Sequence, residues 1–194
     1  MHMTETPHDR HPPPRLFDLG IRKLMERQSA FDAYIHNGDS VADIGCGPGY
    51  FTIRFSRLVG PSGKVYAADT GLKAIEILKK KISENSIRNI ECYTDSAADL
   101  RGIPDSSIDF LLSHRVICCM SDHRRAISEI RRVLKKEGVA FLSVTSFGRR
   151  GDSRHVGAAE WEDLLSGFRI VKHGKTLTGR WSLVSFPREV QETR

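Results

Sequence analysis

Apolar residues along this chain fall into short runs of two alternating kinds. Residues 39–45 (DSVADIG), 64–69 (KVYAAD), 89–94 (NIECYT), 107–113 (SIDFLLS) and 139–145 (VAFLSVT) are brief, β-prone and bounded by Gly, Pro, Asp or Ser. That pattern predicts buried strands. SIDFLLS is almost wholly apolar, so both its faces should be covered. Between these runs the apolar period lengthens to that of a helix. Residues 50–60 (YFTIRFSRLVG) predict an amphipathic helix ending at Gly60, with Pro61 beyond it as a stop. Residues 72–82 place Leu72, Ile75, Leu78 and Ile82 on one inward face. Residues 122–136 turn Ile127, Ile130, Val133 and Leu134 inward, and Gly138 should end that helix. A further helix is expected at 158–167, then two closing strands at 168–173 and 180–186 joined by a Gly-containing connection.

The element order reads β-α-β-α-β-α-β-α-β-α-β-β. Alternation of this kind predicts an α/β fold, a doubly wound and largely parallel sheet with helices on both faces. No helix separates the last two strands, so the final strand should run antiparallel. The domain proper is expected over 38–187, with a charged tail at 188–194. Residues 1–14 are polar and rich in Pro and His. Residues 15–35 carry Leu16, Phe17, Leu19, Ile21, Leu24, Met25, Phe31, Tyr34 and Ile35 at helical spacing. These are too many apolar groups for a tail left in water. Residues 1–37 are therefore expected to be a tail plus a helical lid segment crossing the carboxyl edge of the sheet, with a helix docked permanently on the sheet as the alternative for 15–35.

A length of 194 residues suits one domain with a sizeable core. No apolar run approaches the roughly 18 residues needed to cross a bilayer, and the N-terminus lacks the apolar stretch of a secretory signal. A cytoplasmic protein without a membrane span is the expectation. The four cysteines, Cys46, Cys92, Cys118 and Cys119, include no Cys-x-x-Cys pair, so no metal site is expected. Net charge is +6, but the basic residues fall mostly in helix-face runs such as 78–81 and 131–136. The charge permits a nucleic-acid partner without favouring one.

The chemistry concentrates at VADIGCGPG, residues 41–49, where Gly45, Gly47 and Gly49 follow the first strand and lead into the first helix. In a parallel sheet this is the ligand-binding edge. Glycine admits a tight turn and close backbone approach, and a helix N-terminus offers unpaired N–H groups. A Walker loop would need Gly-Lys-Ser/Thr, which is absent, and Asp43 adds negative charge unsuited to pyrophosphate. Asp69 ends the second strand 20 residues beyond Gly49, placed to accept from both ribose hydroxyls. Asp95, just past the third strand, can accept from an exocyclic adenine amine. The site reads as one for a nucleoside with free ribose hydroxyls and no phosphate near the loop.

Over roughly residues 38–146 this pattern resembles the class I S-adenosylmethionine-dependent methyltransferases, most of all the small quinone-biosynthesis and small-molecule enzymes. VADIGCGPG looks like the first family motif, KVYAAD like the second, and residues 92–144 like the adenine loop, fourth strand, helix and fifth strand in order. The resemblance implies a Rossmann-like seven-stranded sheet with the last strand reversed. It implies S-adenosyl-L-methionine as cofactor and S-adenosyl-L-homocysteine as product. Asp43, Gly45, Gly47 and Gly49 would surround the methionine part, and Cys46, Tyr50 and Thr70 would also belong to the cofactor site. Asp69 would hold the ribose, and Asp95 and Ser96 would face the adenine. Ser113 and His114 would lie near the methyl group, with His114 the candidate catalytic residue.

A general base is needed only for an acceptor atom bearing a proton of high pKa. His114, His36 and His155 are the candidates. The stretch SHRVICCM, 113–120, lacks the Asn/Asp-Pro-Pro-Tyr of adenine and glutamine amino-methylating enzymes. It also lacks the Pro-Cys of cytosine-C5 enzymes, although Cys118 and Cys119 stand there, and the cysteine set of arsenic methyltransferases is not visible. The leading expectation is transfer to a small molecule by proximity and in-line displacement. An RNA methyltransferase and a non-catalytic cofactor-binding partner protein are the alternatives. Substrate choice would fall to residues 1–37, the segment after the fourth strand, and 145–157, where Arg149, Arg150 and Arg154 could attract an anion.

Overall fold

β1 (Ser40–Ile44), β2 (Lys64–Ala68), β3 (Ile90–Tyr93), β4 (Ile108–His114), β5 (Leu134–Thr145), β6 (Arg169–Thr176) and β7 (Gly179–Ser185) form one sheet in the order β3-β2-β1-β4-β5-β7-β6. These strands come from a computed structural model that describes residues 29–145, 152–177 and 179–187. β1 to β5 pair in parallel, and β7 runs antiparallel to both β5 and β6. The reversed strand follows from the short β6–β7 hairpin, since a parallel return would need a long crossover.

The two-residue period of the strands sorts the core. Val41, Phe110, Leu112 and Leu183 face α2 (Tyr50–Val59), where Phe55 and Val59 are fully buried. Ala42, Leu111, Leu142 and Val184 face the opposite layer, built from α4 (His123–Val133) and α5 (Ala158–Leu165). α3 (Leu72–Glu84) covers β2 and β3 through Ala74, Ile75 and Leu78. α1 (Ser29–Asp32) is short. Phe31 just within it packs edge-on against Phe141 at 4.6 Å and also touches Phe51 and Phe110. Phe31 and Ile35 are thus core residues. The remainder of the expected lid, residues 15–28, and both tails lie outside the described residues.

Four expectations change. Leu72 stands 59% exposed at the start of α3, not inward, because the helix begins beyond the edge of the sheet. The fourth helix stops at Val133, and Leu134 already pairs with Ile108 in β5. Gly138 serves that pairing instead of capping the helix: a Cβ there would stand 2.7 Å from Ile108 O. No helix joins β3 to β4. The chain turns through 94–107, where Leu100 and Ile103 are buried.

That turn is held by Arg132 of α4. Its guanidinium donates to Leu100 O (2.8 Å), Ile103 O (3.0 Å) and Glu129, and Glu129 in turn accepts from Leu100 N–H (2.7 Å). Arg132→Ala should destabilise the fold by about 2 kcal/mol, since two part-buried carbonyls lose their donor. Urea unfolding would read the change, and an unaltered midpoint would mean that water replaces the guanidinium at no cost.

Candidate active site

The carboxyl ends of β1, β2, β4 and β5 share one edge, and the glycine loop crosses it. Gly45 N–H and Cys46 N–H both donate to Ala68 O (2.7 and 3.1 Å), tying the loop to the end of β2. Asp69 makes the second tie. Its Oδ2 accepts from Gly47 N–H at 2.8 Å and its Oδ1 from Gly71 N–H at 2.7 Å. One carboxylate therefore fixes the two loops that follow β1 and β2. Gly45 (φ 72°) and Gly49 (φ 88°) occupy the left-handed region, and neighbours press on both. A Cβ on Gly45 would stand 2.2 Å from Val116 Cγ2, and one on Gly49 2.3 Å from Leu78 Cδ1. Lys81 Nζ donates to Pro48 O (2.9 Å) from α3. The loop is thus packed on several sides, yet nothing lies within 4 Å of where a Gly47 Cβ would stand.

Asp43 is the buried charge of the site, 2% exposed, accepting from Thr52 Oγ1–H at 2.6 Å. Burial, with a smaller push from the nearby Asp69 carboxylate, raises its pKa to about 7 against the Thr52 hydrogen bonds. Cys46 sits within the loop itself. Its side chain is buried with Ala67, Ile75 and Leu78, and its thiol donates to Gly47 O (3.6 Å) within the loop. Burial pushes its thiol well up. Tyr50 opens α2 and meets Phe51 edge-on at 5.2 Å. Thr70 follows Asp69 and is half-buried. Leu72, the residue that periodicity misplaced, leaves an exposed apolar surface three residues from the Asp69 carboxylate.

Asp95 and Ser96 sit in the turn after β3. Asp95 Oδ2 accepts from Gly102 N–H at 3.3 Å, and Ser96 Oγ accepts from Ala98 N–H at 3.3 Å. Both keep capacity for further hydrogen bonds. At the end of β4, Ser113 Oγ is buried with no partner among the described residues. His114 Nδ1 meets Ser143 Oγ at 2.9 Å. Burial first, and then the neighbouring Arg115, lower its pKa to about 4, so the ring is neutral at neutral pH. His114, Phe141, Ser143, Thr176 and Trp181 line a recess of about 60 Å³, with the Trp181 and Phe141 rings stacked at 5.5 Å. A larger recess, about 480 Å³, lies beside Ser106, Leu134 and Pro187 at the opposite edge of the sheet, remote from the loop.

Not every candidate gathers here. His36 precedes β1 at the amino edge, where its N–H donates to Asp39. It is no base for this site. His155 lies in the connection after β5, with Nδ1 buried and unpartnered among the described residues. Arg154 is paired with Asp152 at 2.8 Å. Arg149 and Arg150 lie outside the described residues. Among the described residues no three His, Cys, Asp or Glu side chains gather as a metal site would require. Ser143 and Val116 escaped sequence reading, because only the β4–β5 pairing and the turn after β4 bring them in.

The donor set is a test of the cofactor. Asp43 and Asp69 flank the loop, and no Lys or Arg lies between residues 43 and 53. This suits a cationic donor and opposes a pyrophosphate. Asp69 retains lone pairs for ribose hydroxyls, and the open side of Gly47 leaves room beside it. The residues fit S-adenosylmethionine.

Comparison with known proteins agrees. A family described as "Methyltransferase domain" matches residues 42–142. The ubiquinone/menaquinone biosynthesis C-methyltransferase UbiE of Hahella chejuensis is 33% identical over 124 residues, which is 63% of this chain and 49% of that protein. UbiE of Francisella tularensis subsp. tularensis is 29% identical over the same shares. The chain spans about half the length of these curated relatives. Among solved structures, a SAM-dependent methyltransferase from Aquifex aeolicus superposes with a TM-score of 0.74 at 19% identity, covering 90% of this chain and 98% of that one. The Bacillus YcgJ protein gives 0.66 at 14% identity, covering 83% and 98%. At these identities the structures establish the fold alone. The family match spans more than half of the residues, and the chain belongs to the methyltransferase-domain family of class I S-adenosylmethionine-dependent enzymes.

Proposed function

We propose that this protein transfers a methyl group from S-adenosylmethionine to a small-molecule acceptor by in-line displacement. The observation that carries the reading is the pair of carboxylates, Asp43 and Asp69, at a glycine loop with no Lys or Arg among its own residues. When bound, the cofactor supplies a methyl group already made electrophilic by its sulfonium. The chain's own work is binding, orientation and exclusion of water. Asp69 would accept from the ribose, Asp95 and Ser96 would face the adenine, and Leu72 would offer the purine an apolar flank. Asp43 and the loop backbone would hold the methionine end, with Ser113 towards the methyl group.

His114 belongs on the acceptor side. With a pKa of about 4 it is too weak to take a proton from a phenol at neutral pH. We assign it a hydrogen bond to the acceptor instead, oriented through Ser143. The stacked Phe141 and Trp181 rings suit a flat acceptor, and a quinol is consistent with the names of the relatives. The basic residues give RNA no comparable support: Arg124, Arg132, Lys64 and Lys135 each contact a carboxylate. No described helix is long and apolar enough to cross a membrane. Four free cysteines fit a reducing compartment, and we place the protein in the cytoplasm.

S-adenosylmethionine and S-adenosylhomocysteine should each raise the melting temperature, because a ligand of the folded state alone stabilises it. NAD and ATP should do far less, and a reduced naphthoquinone should yield S-adenosylhomocysteine on mixing. Tighter binding of NAD than of S-adenosylhomocysteine by calorimetry would sink the assignment.

A further inference from the structure

Two side chains beside the site have no part in the reading above. Cys118 and Cys119 are successive residues on the 3-10 turn Ile117–Cys119 that follows β4. Val116, just before this turn, is the residue that packs on Gly45. Thr145 N–H, at the end of β5, donates to Cys118 Sγ (3.4 Å), and Cys119 Sγ stands 3.3 Å from Arg115 O. The two thiols also lie within hydrogen-bonding reach of each other. Both residues are only partly buried. Donation from Cys119, and then from Thr145, outweighs burial and lowers the Cys118 thiol to about 6, so a thiolate is available at neutral pH.

Successive Cα atoms stand about 3.8 Å apart across a trans peptide, whereas a relaxed disulfide spans about 4.4–6.8 Å. The pair is therefore ill placed to close on itself. A larger soft atom bridging the two sulfurs lifts that restriction. Zinc wants about four ligands, and no group of three candidate ligands exists among the described residues. Two thiolates alone suit a soft, sulfur-seeking centre.

We infer that Cys118 and Cys119 form a chelating dithiol for a soft, thiophilic centre, held next to the glycine loop. The chelation stands apart from the methyl-transfer reading, which supplies only the neighbouring site. With phenylarsine oxide, a trivalent arsenical, the balance is simple. Two S–As bonds form, the As=O oxygen takes one proton from each thiol and leaves as water, and no oxidation state changes.

The test is calorimetric titration of the reduced full chain with phenylarsine oxide. Wild type should bind one equivalent, reversed by excess 1,2-ethanedithiol. Cys118→Ser and Cys119→Ser should each weaken binding by about a hundredfold or more, since one S–As bond replaces two. Cys92→Ser should bind as wild type does. Undiminished binding in Cys118→Ser or Cys119→Ser, or its loss in Cys92→Ser, overturns the inference. Thiol counting on wild type needs no variant: the arsenical should mask two of the fast-reacting thiols, and masking one or none overturns it equally. Response to S-adenosylhomocysteine, followed in parallel by melting temperature, judges the methyltransferase reading separately.

Discussion

Asp69→Ala should weaken S-adenosylhomocysteine binding by about a hundredfold or more, the loss of two charge-assisted hydrogen bonds of roughly 1.5 kcal/mol each. The carboxylate has a double task. Its two oxygens already hold Gly47 N–H and Gly71 N–H, at 2.8 and 2.7 Å, and each oxygen keeps capacity to accept a further hydrogen bond. Removing it strips the ribose of its acceptor and also frees the two loops that shape the site. Asp69→Asn separates these effects. One amide oxygen can still hold one loop, while the amide donor faces a group that wants an acceptor. Its loss should be intermediate, about tenfold or a little more. Isothermal calorimetry on folded variants is the measurement. Unchanged affinity in Asp69→Ala would reduce Asp69 to a loop clasp, which the two backbone bonds alone would explain.

The clasp itself was not legible in the sequence. Spacing from Gly49 places Asp69 at the end of a strand beside the loop, because parallel strands and short loops leave little freedom there. Spacing does not reveal that Gly47 and Gly71 donate to it, since those contacts depend on the twist of two loops across strands. The same division holds elsewhere. The sheet was readable because five short apolar runs alternate with helical ones, and the missing final helix gave away the reversed strand. Leu72 was misread because periodicity tells which residues share a face but not where the helix projects past the sheet. Gly138 was misread as a cap because a glycine after a helix and a glycine where two strands nearly touch look alike in one dimension. Ser143 and Cys118 took their places from the β4–β5 pairing and the turn after β4, which local pattern does not encode.

Asp43 is readable as an acid before the glycines, but its burial is not, and the burial has thermodynamic consequences. Its pKa in the fold, about 7, lies above the ordinary 3.8 of an unfolded aspartate. The folded state therefore binds the extra proton between these values, and stability must fall as pH rises through that window. The loss between about pH 5 and pH 8 is about 3 kcal/mol. His114 acts with the opposite sign. Its folded pKa, about 4, lies below the ordinary 6.5, so its contribution is present above that value and lost as pH falls. A simple pH profile of the wild type mixes the two. Asp43→Asn isolates one, because His114 is common to both proteins. The drop in unfolding free energy from about pH 5 to pH 8 should be about 3 kcal/mol smaller in the variant. Asparagine keeps one acceptor for Thr52, so the variant should fold. It should also bind the cofactor less well, because a buried negative charge near the cationic ligand is gone. In the wild type that cation should draw Asp43 into its ionised form, releasing part of a proton on binding near neutral pH. Calorimetry in buffers of different ionisation enthalpy reads the proton directly, and the variant should release none. Superimposable pH–stability profiles for wild type and Asp43→Asn would mean that Asp43 is not held near neutrality, and the raised carboxyl would have no part in favouring a cationic cofactor.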